Sequence, residues 1–178
     1  MANDFNNANI QNPSSANAGL GKVLASDRGT TLAVILLHAM CALAIVVGCG
    51  VGCALVAGSK HPNPEILFAG IGVLGIVGLL LMVCNVVGAG KTAITVHETG
   101  IVGIGTSKMA MQLGTMLFVL RNFQLTYDKV SSVEMNGGMY SGSITICVAG
   151  TQYLVYGKQS AAIQMTILEQ QRKVASGA

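Results

Sequence analysis

The sequence predicts a membrane α-helical hairpin followed by a small α+β domain. Hydrophobic residues make up 52% of the 178-residue chain and charged residues only 10%, against about 25% charged residues in soluble domains. Two long uncharged apolar runs fall between residues 31 and 90, and an alternating β-branched pattern follows them. This composition excludes a wholly disordered chain, and the length excludes a large multidomain enzyme.

Residues 1–30 are predicted to form a polar N-terminal arm. They are rich in asparagine and lack the basic region, apolar core and cleavage site that together mark a signal peptide. Two interpretations of the arm are open. It is either a flexible extension or a segment that becomes ordered against a neighbouring subunit.

Residues 31–90 are predicted to form a two-helix transmembrane hairpin. The apolar runs 31–57 and 66–87 are each long enough to cross a hydrocarbon core, which takes about 20 helical residues. The linker between them contains Pro62 and Pro64, and proline ends a helix because it lacks the backbone N–H and clashes with the preceding turn.

The cations around the hairpin predict its orientation. Lys22 and Arg28 precede the hairpin, Lys60 lies in its turn, and Lys91 and Lys108 follow it. Because Lys and Arg concentrate in cytoplasmic flanks, we expect a two-pass protein of the inner (plasma) membrane with both termini in the cytoplasm. The lipid bilayer is then its first partner.

Small residues recur along both predicted spans at helical spacing. In lipid, small residues let helix backbones approach closely, so such stripes are typical of packing surfaces. Two stripes exceed what one hairpin contact needs, and we expect one to serve the hairpin and the other a second copy of the chain in a homo-oligomer. The predicted packing residues are Ala44, Gly48 and Gly52 in the first span and Gly72, Gly75 and Gly78 in the second.

His38 and Asn85 are the polar residues that stand out within the spans. Intramembrane polar residues are functional candidates by default, because burying them in lipid costs free energy. In an antiparallel hairpin both lie toward the cytoplasmic end and are placed to meet. Their contact is interpreted either as an interhelical hydrogen bond or as a proton relay.

Residues 91–178 are predicted to form the cytoplasmic domain. Alternating segments separated by Gly-containing turns indicate antiparallel strands, and an amphipathic pattern after Gln159 indicates a C-terminal helix. The apolar stretch 109–120 has two interpretations. It is either one more strand, buried on both faces, or an apolar loop that dips into the membrane surface or a neighbouring subunit.

Motifs for chemistry are weak, so no catalytic, metal or cofactor site is expected. A GxGxxG match at Gly70 lies inside an apolar span, where no strand precedes it. Gly88 to Thr92 resembles the end of a phosphate-binding loop, but a strand pattern follows instead of the helix that phosphate binding needs. The five cysteines are interpreted as reduced packing residues. The net charge of +3 is too weak to predict a nucleic-acid partner.

The segments ITVHETGIVGIG, FQLTYDKVSSVEM and SITICVAGTQYLVYG, with the closing helix from Gln159, resemble the bacterial pleckstrin-homology-like (PH-like) domains. The segment LTYDKVSSVE accounts for most of this resemblance. The resemblance covers about half of the chain and implies a curved, partly open antiparallel barrel capped by a helix. It also implies scaffolding, oligomer contacts or membrane-proximal binding. The basic cluster of lipid-binding members is missing from the first hairpin.

Three functions remain as hypotheses. The first is a non-enzymatic, membrane-anchored oligomeric scaffold whose PH-like domains form a contact layer, with a protein partner at that layer. The second is a small homo-oligomeric channel or transporter subunit whose pore is lined by His38 or Asn85. The third is a monomeric adaptor that binds a peptide or a lipid headgroup.

Overall fold

The computed structural model of the protein describes residues 19–30, 32–137 and 142–177. The asparagine-rich part of the predicted arm, residues 1–18, lies outside the described residues. The elements in chain order are β1 (Val23–Arg28), α1 (Leu32–Gly58), α2 (Pro64–Lys91), β2 (Ala93–His97), β3 (Gly100–Gly105), α3 (Lys108–Gln112), β4 (Arg121–Thr126), β5 (Ser132–Met135), β6 (Ser143–Val148), β7 (Thr151–Tyr156) and α4 (Ser160–Ser176).

Helices α1 and α2 form the predicted hairpin, and both are long and apolar enough to cross a membrane. Only 11% of the residues in the most apolar window of α1, and 6% in that of α2, are buried. A core helix of a soluble protein would bury most of such a stretch. Helix α2 begins at Pro64 and carries Glu65 in its first turn and Lys91 in its last, an arrangement that the helix dipole favours.

The hairpin is inserted between two adjacent strands of one sheet. Strand β1 pairs antiparallel with β2, and Arg28 lies opposite Ala93. The backbone N–H of Gly29 then donates to the carbonyl of Thr92 over 3.1 Å. The sequence boundary at residue 30 therefore separates β1 from the sheet to which it belongs, and both ends of the hairpin leave the domain at one point.

The seven described strands form two antiparallel sheets, a four-stranded sheet in the order β1-β2-β3-β4 and a three-stranded sheet in the order β5-β6-β7. A single bridge between Thr106 and Leu154 links them. The described strands therefore do not close into a barrel. The fold is α+β, with a helical hairpin, antiparallel sheets and a C-terminal helix.

Helix α4 covers the core of the domain. Its Ile163 and Ile167 are almost fully buried and join one apolar cluster with residues of both sheets. The buried carboxylate of Asp27, in β1, anchors the chain just before α4, because it accepts the backbone N–H groups of Lys158 and Gln159 over 3.0 and 2.6 Å. Strand β1 is thus fixed to the far end of the chain as well as to β2.

The stretch 109–120 is not a strand, and that interpretation is wrong. It begins in the short helix α3 and continues into a 3₁₀ turn over Met116–Phe118. Ser107 caps α3, since its hydroxyl accepts the N–H of Ala110 over 3.1 Å. A short apolar run fits a strand or a helix equally well by pattern alone, and here contacts with α2 decide the outcome.

Candidate functional site

The end of the hairpin next to the β-sheets and the β domain share one buried apolar cluster, which we call the junction. It combines residues of both helices, of the 108–118 segment and of strand β7: Val34, Ala89, Met111, Met116, Leu154 and Tyr156. Met116, Leu154 and Tyr156 are fully buried. The junction therefore joins the hairpin and the domain by apolar packing as well as by the chain itself.

One face of α2 receives the 108–118 segment, which we call the docking segment. A Cβ atom added at Gly88 would lie 2.6 Å from the Cβ of Met116 and 2.7 Å from the backbone N of Leu117. Gly114, which has a positive φ of 73°, lies as closely against Leu81. Because Leu81 and Gly88 are seven residues apart, they share one helix face. Gly88 is therefore a close-approach position within a continuous helix.

Asn85 lies between these two contacts and is buried. Its side-chain amide donates to the carbonyl of Met111 over 2.8 Å, while its Oδ1 has no hydrogen-bond partner among the described residues. The Nδ1 of His38 is 2.8 Å from the carbonyl of Val34, one turn earlier in α1. The expected pairing of His38 with Asn85 is replaced by these two separate contacts, and Asn85 holds the docking segment instead.

Thr92 connects α2 to strand β7. Its hydroxyl donates to the carbonyl of Ala89 over 2.8 Å and accepts the backbone N–H of Tyr156 over 2.9 Å. The phenol of Tyr156 in turn lies 2.6 Å from the sulfur of Met111. The end of α2, the strand and the docking segment are thus held together by buried polar contacts.

The six predicted packing residues divide into two groups. Gly52, Gly75 and Gly78 lie at the contact between α1 and α2, where added Cβ atoms would lie 3.3 Å from Ile71, 2.7 Å from the sulfur of Cys49 and 3.2 Å from Ile45.

The other group faces away from the hairpin contact. Ala44, Gly48 and Gly72 are exposed, and a Cβ at either glycine would meet nothing within 4 Å. Each stripe therefore contributes both to the hairpin and to its outer surface.

The described residues offer little for catalysis. They contain no group of three His, Cys, Asp or Glu side chains placed to hold a metal ion. A pocket of about 60 Å³ lies between β3 and β7, lined by residues that include Thr106 and Arg121. Small-molecule sites usually measure about 300–1,000 Å³, so this pocket is too small for an organic cofactor.

Two exposed carboxyl groups of the domain have perturbed acidity. A hydrogen bond from Thr126 lowers the pKa of Asp128. The pKa of Glu169 is lowered by the hydrogen bond and charge of Lys173, whose ammonium lies 2.8 Å away. The first is a local turn contact and the second a surface ion pair, so neither indicates an acid–base catalyst.

Comparison with models of protein families, with curated proteins and with solved structures found no match to this chain. Its function must therefore be argued from its own residues.

Sequence reasoning identified Asn85 but not its partners. Gly88, the first residue of the loop-like motif Gly88 to Thr92, lies inside α2 and is buried. One signal was present, since Leu81, Asn85 and Gly88 follow the i, i+4, i+7 spacing of a single helix face. That spacing indicates a contact face, although it does not identify the docking segment as the partner.

Proposed function

We propose that the protein is a non-enzymatic, membrane-anchored homo-oligomeric scaffold of the inner (plasma) membrane, with both termini in the cytoplasm. In this proposal the hairpin anchors the chain and packs copies side by side. The β domains, whose open antiparallel sheets and capping helix are in keeping with a PH-like domain, form a cytoplasmic layer that makes contacts with partner proteins.

The observation that carries this proposal is the group of small residues that the hairpin does not use. Three of the six predicted packing residues lie at the contact between α1 and α2. Ala44, Gly48 and Gly72 remain exposed, with open space where a side chain would stand at both glycines. In lipid, where apolar side chains gain nothing by leaving the solvent, small exposed residues favour close helix contact.

Docking of the domain at the junction also supports a scaffold. Because Met116, Leu154 and Tyr156 are buried against the hairpin, the orientation of the domain follows that of the membrane helices. Copies that pack through their helices would then present their domains in a fixed array.

The channel hypothesis receives less support. A water-filled pore needs polar side chains along an exposed helix face. His38 and Asn85 are buried at the end of the hairpin next to the β domain and bond to nearby carbonyl groups. Apart from Glu65 and Lys91 at the two ends of α2, the exposed large side chains of the described hairpin are apolar, among them Leu43, Leu55, Leu74 and Leu80.

The test is the mass of purified variants in mild detergent, measured by light scattering after size exclusion. Gly48→Leu adds a side chain on the outer surface without a clash inside the chain, and we expect it to reduce a discrete oligomer to monomers. Gly50→Leu is the matched control, because it also meets open space but lies on the opposite side of α1, about 200° away. Gly75→Leu is a poor test, since it would collide with Cys49 within the hairpin.

A wild-type protein that is monomeric in several mild detergents and in nanodiscs would contradict the proposal and leave the adaptor hypothesis. An oligomer that both leucine variants leave intact would show that the outer small residues are not the contact surface.

A further inference from the structure

We propose that the docking segment, residues 108–118, is a third membrane element that lies in the cytoplasmic leaflet beside α2, with lipid as its partner. This inference rests on the membrane placement in the proposed function. It assigns a lipid-contact surface to a part of the chain that belongs to the domain by sequence.

Apart from Gln112, the exposed side chains of the docking segment are apolar. Met109, Leu113 and Phe118 are 67, 57 and 76% exposed. On the opposite side, Met111 and Met116 are buried in the junction. Large apolar side chains that are gathered on one exposed surface mark a binding site for lipid or protein, and continuity of this surface with the exposed apolar surface of α2 favours lipid.

The depth of the segment matches the membrane. Its contacts with α2 run from Leu81 to Gly88, which corresponds to about 10 Å along the helix axis. Helix α2 has 28 residues and spans about 42 Å, whereas the hydrocarbon core is about 30 Å thick. If the excess is shared between the two ends, Leu81 lies about 9 Å inside the hydrocarbon region. Interfacial elements bury their apolar faces about 5–10 Å deep.

The backbone of the segment is suited to a medium without water. In lipid, every backbone polar group needs an internal partner. The N–H groups that donate to oxygens of the segment or its cap are those of residues 110, 111, 113, 114, 115, 118 and 119. The carbonyl of Met111 accepts the amide of Asn85, and the hydroxyl of Thr115 donates to the carbonyl of Ala110.

Charge is placed at the ends of the segment and not within it. Residues 109–120 contain no charged side chain, whereas Lys108 and Arg121 flank them. Lys91, at the end of α2, is also exposed. Long cationic side chains at the ends of membrane elements reach the anionic headgroups while their stems remain in the apolar region.

The experiment uses tryptophan as a depth reporter, because the chain contains none. Full-length Phe118→Trp and Leu113→Trp proteins are reconstituted into liposomes of phosphatidylcholine and phosphatidylglycerol, with and without brominated acyl chains. We expect blue-shifted emission that brominated lipid quenches and iodide does not. Met165→Trp is the matched control, since Met165 is 67% exposed but lies in α4, and it should show the reverse.

Leu80→Trp, on the exposed surface of α2, separates the two proposals. If brominated lipid fails to quench this reporter, the hairpin is not in the membrane and the proposed function fails. If it is quenched while Phe118→Trp and Leu113→Trp are both quenched by iodide, the docking segment lies in water and only the present inference is overturned. Blue-shifted docking-segment reporters that neither quencher reaches would show a neighbouring copy as the occupant, and would also overturn it.

Discussion

The hairpin and the β domain use the same apolar residue types and place them in opposite ways. Ile94, Ile101 and Ile144 of the domain are at most 2% exposed, whereas Ile66 and Ile76 of the hairpin are 65 and 62% exposed. An exposed isoleucine in water loses the free energy that burial would provide, about 25 cal/mol per Å². The hairpin therefore requires an apolar solvent, and the domain supplies its own apolar interior.

The division between exposed and buried apolar side chains does not follow the domain boundary in sequence, as the docking segment shows. It lies between strands β3 and β4, yet its exposed surface resembles that of the hairpin, with Leu113 and Phe118 turned outward. Its buried side belongs to the junction. Substitutions at the junction therefore test how strongly the hairpin and the domain depend on each other.

Gly88→Leu should have the largest effect, because it separates the two regions at their closest approach. A side chain there meets the backbone of Leu117, so the docking segment must move. We expect unfolding free energy to fall by about 3 kcal/mol, at the upper end of overpacking effects. Thermal unfolding in detergent measures the loss, and faster trypsin cleavage at Lys108 and Arg121 reports release of the segment.

Gly90→Leu is the control for this prediction. It lies two residues further along α2, where an added Cβ meets nothing within 4 Å. Leucine is a better helix former than glycine by up to about 0.8 kcal/mol, so this variant should be unchanged or slightly stabilised. Equal melting temperatures for the two variants would contradict the contact at Gly88.

Asp27→Ala should weaken the domain while the hairpin remains helical. The Asp27 carboxylate accepts the backbone N–H groups of Arg28, Lys158 and Gln159, and alanine leaves these part-buried hydrogen bonds without their acceptor. We expect a loss of about 2 kcal/mol, the size of a hydrogen bond to a charged group. Denaturant unfolding followed by near-UV circular dichroism measures it, with helical content as the separate readout for the hairpin.

The matched control removes an exposed carboxylate from the same domain. Glu134→Ala lies on β5 at the surface, where substitutions usually change stability by no more than about 0.5 kcal/mol. If Asp27→Ala is as stable as Glu134→Ala, strand β1 is not held by its carboxylate.

Local patterns predicted most of the elements but not their partners. The spans 31–57 and 66–87 were expected close to where α1 and α2 lie, because an uninterrupted apolar run of that length has few alternatives. Strand β1 was missed, since VLASDR does not alternate clearly and its partner β2 follows only after the whole hairpin. Long-range pairing of this kind leaves no signal in a local window.

The candidate site was predicted to a similar extent. The spacing of Gly52, Gly75 and Gly78 identified helix faces, and the structure places all three in the hairpin contact. Gly48 and Gly72 have the same spacing but open surroundings. Spacing fixes the face on which a residue lies, whereas the neighbour of that face depends on the tertiary arrangement. Asn85 was identified because it is polar within an apolar span, whereas its partner Met111 was not predicted.

Tyr127→Phe should have the smallest effect, which is confined to the domain and to high pH. Burial raises the pKa of Tyr127 from its ordinary 10.0 to about 12, and its hydroxyl donates to the carbonyl of His97. Between these two pH values the unfolded chain releases a proton that the folded chain retains. Stability from this group is therefore full below pH 10 and is lost as the pH rises toward 12.

Denaturant unfolding of the wild type and of Tyr127→Phe across this pH window measures the effect. The wild type should lose stability more steeply than the variant, because phenylalanine has no proton to retain. Parallel curves of unfolding free energy against pH for the wild type and Tyr127→Phe would mean that the phenol is accessible to water. The packing of β2 against the turn at Tyr127 would then be looser than in the structure. A steeper loss in the wild type would instead assign this part of the pH response to the buried phenol of Tyr127.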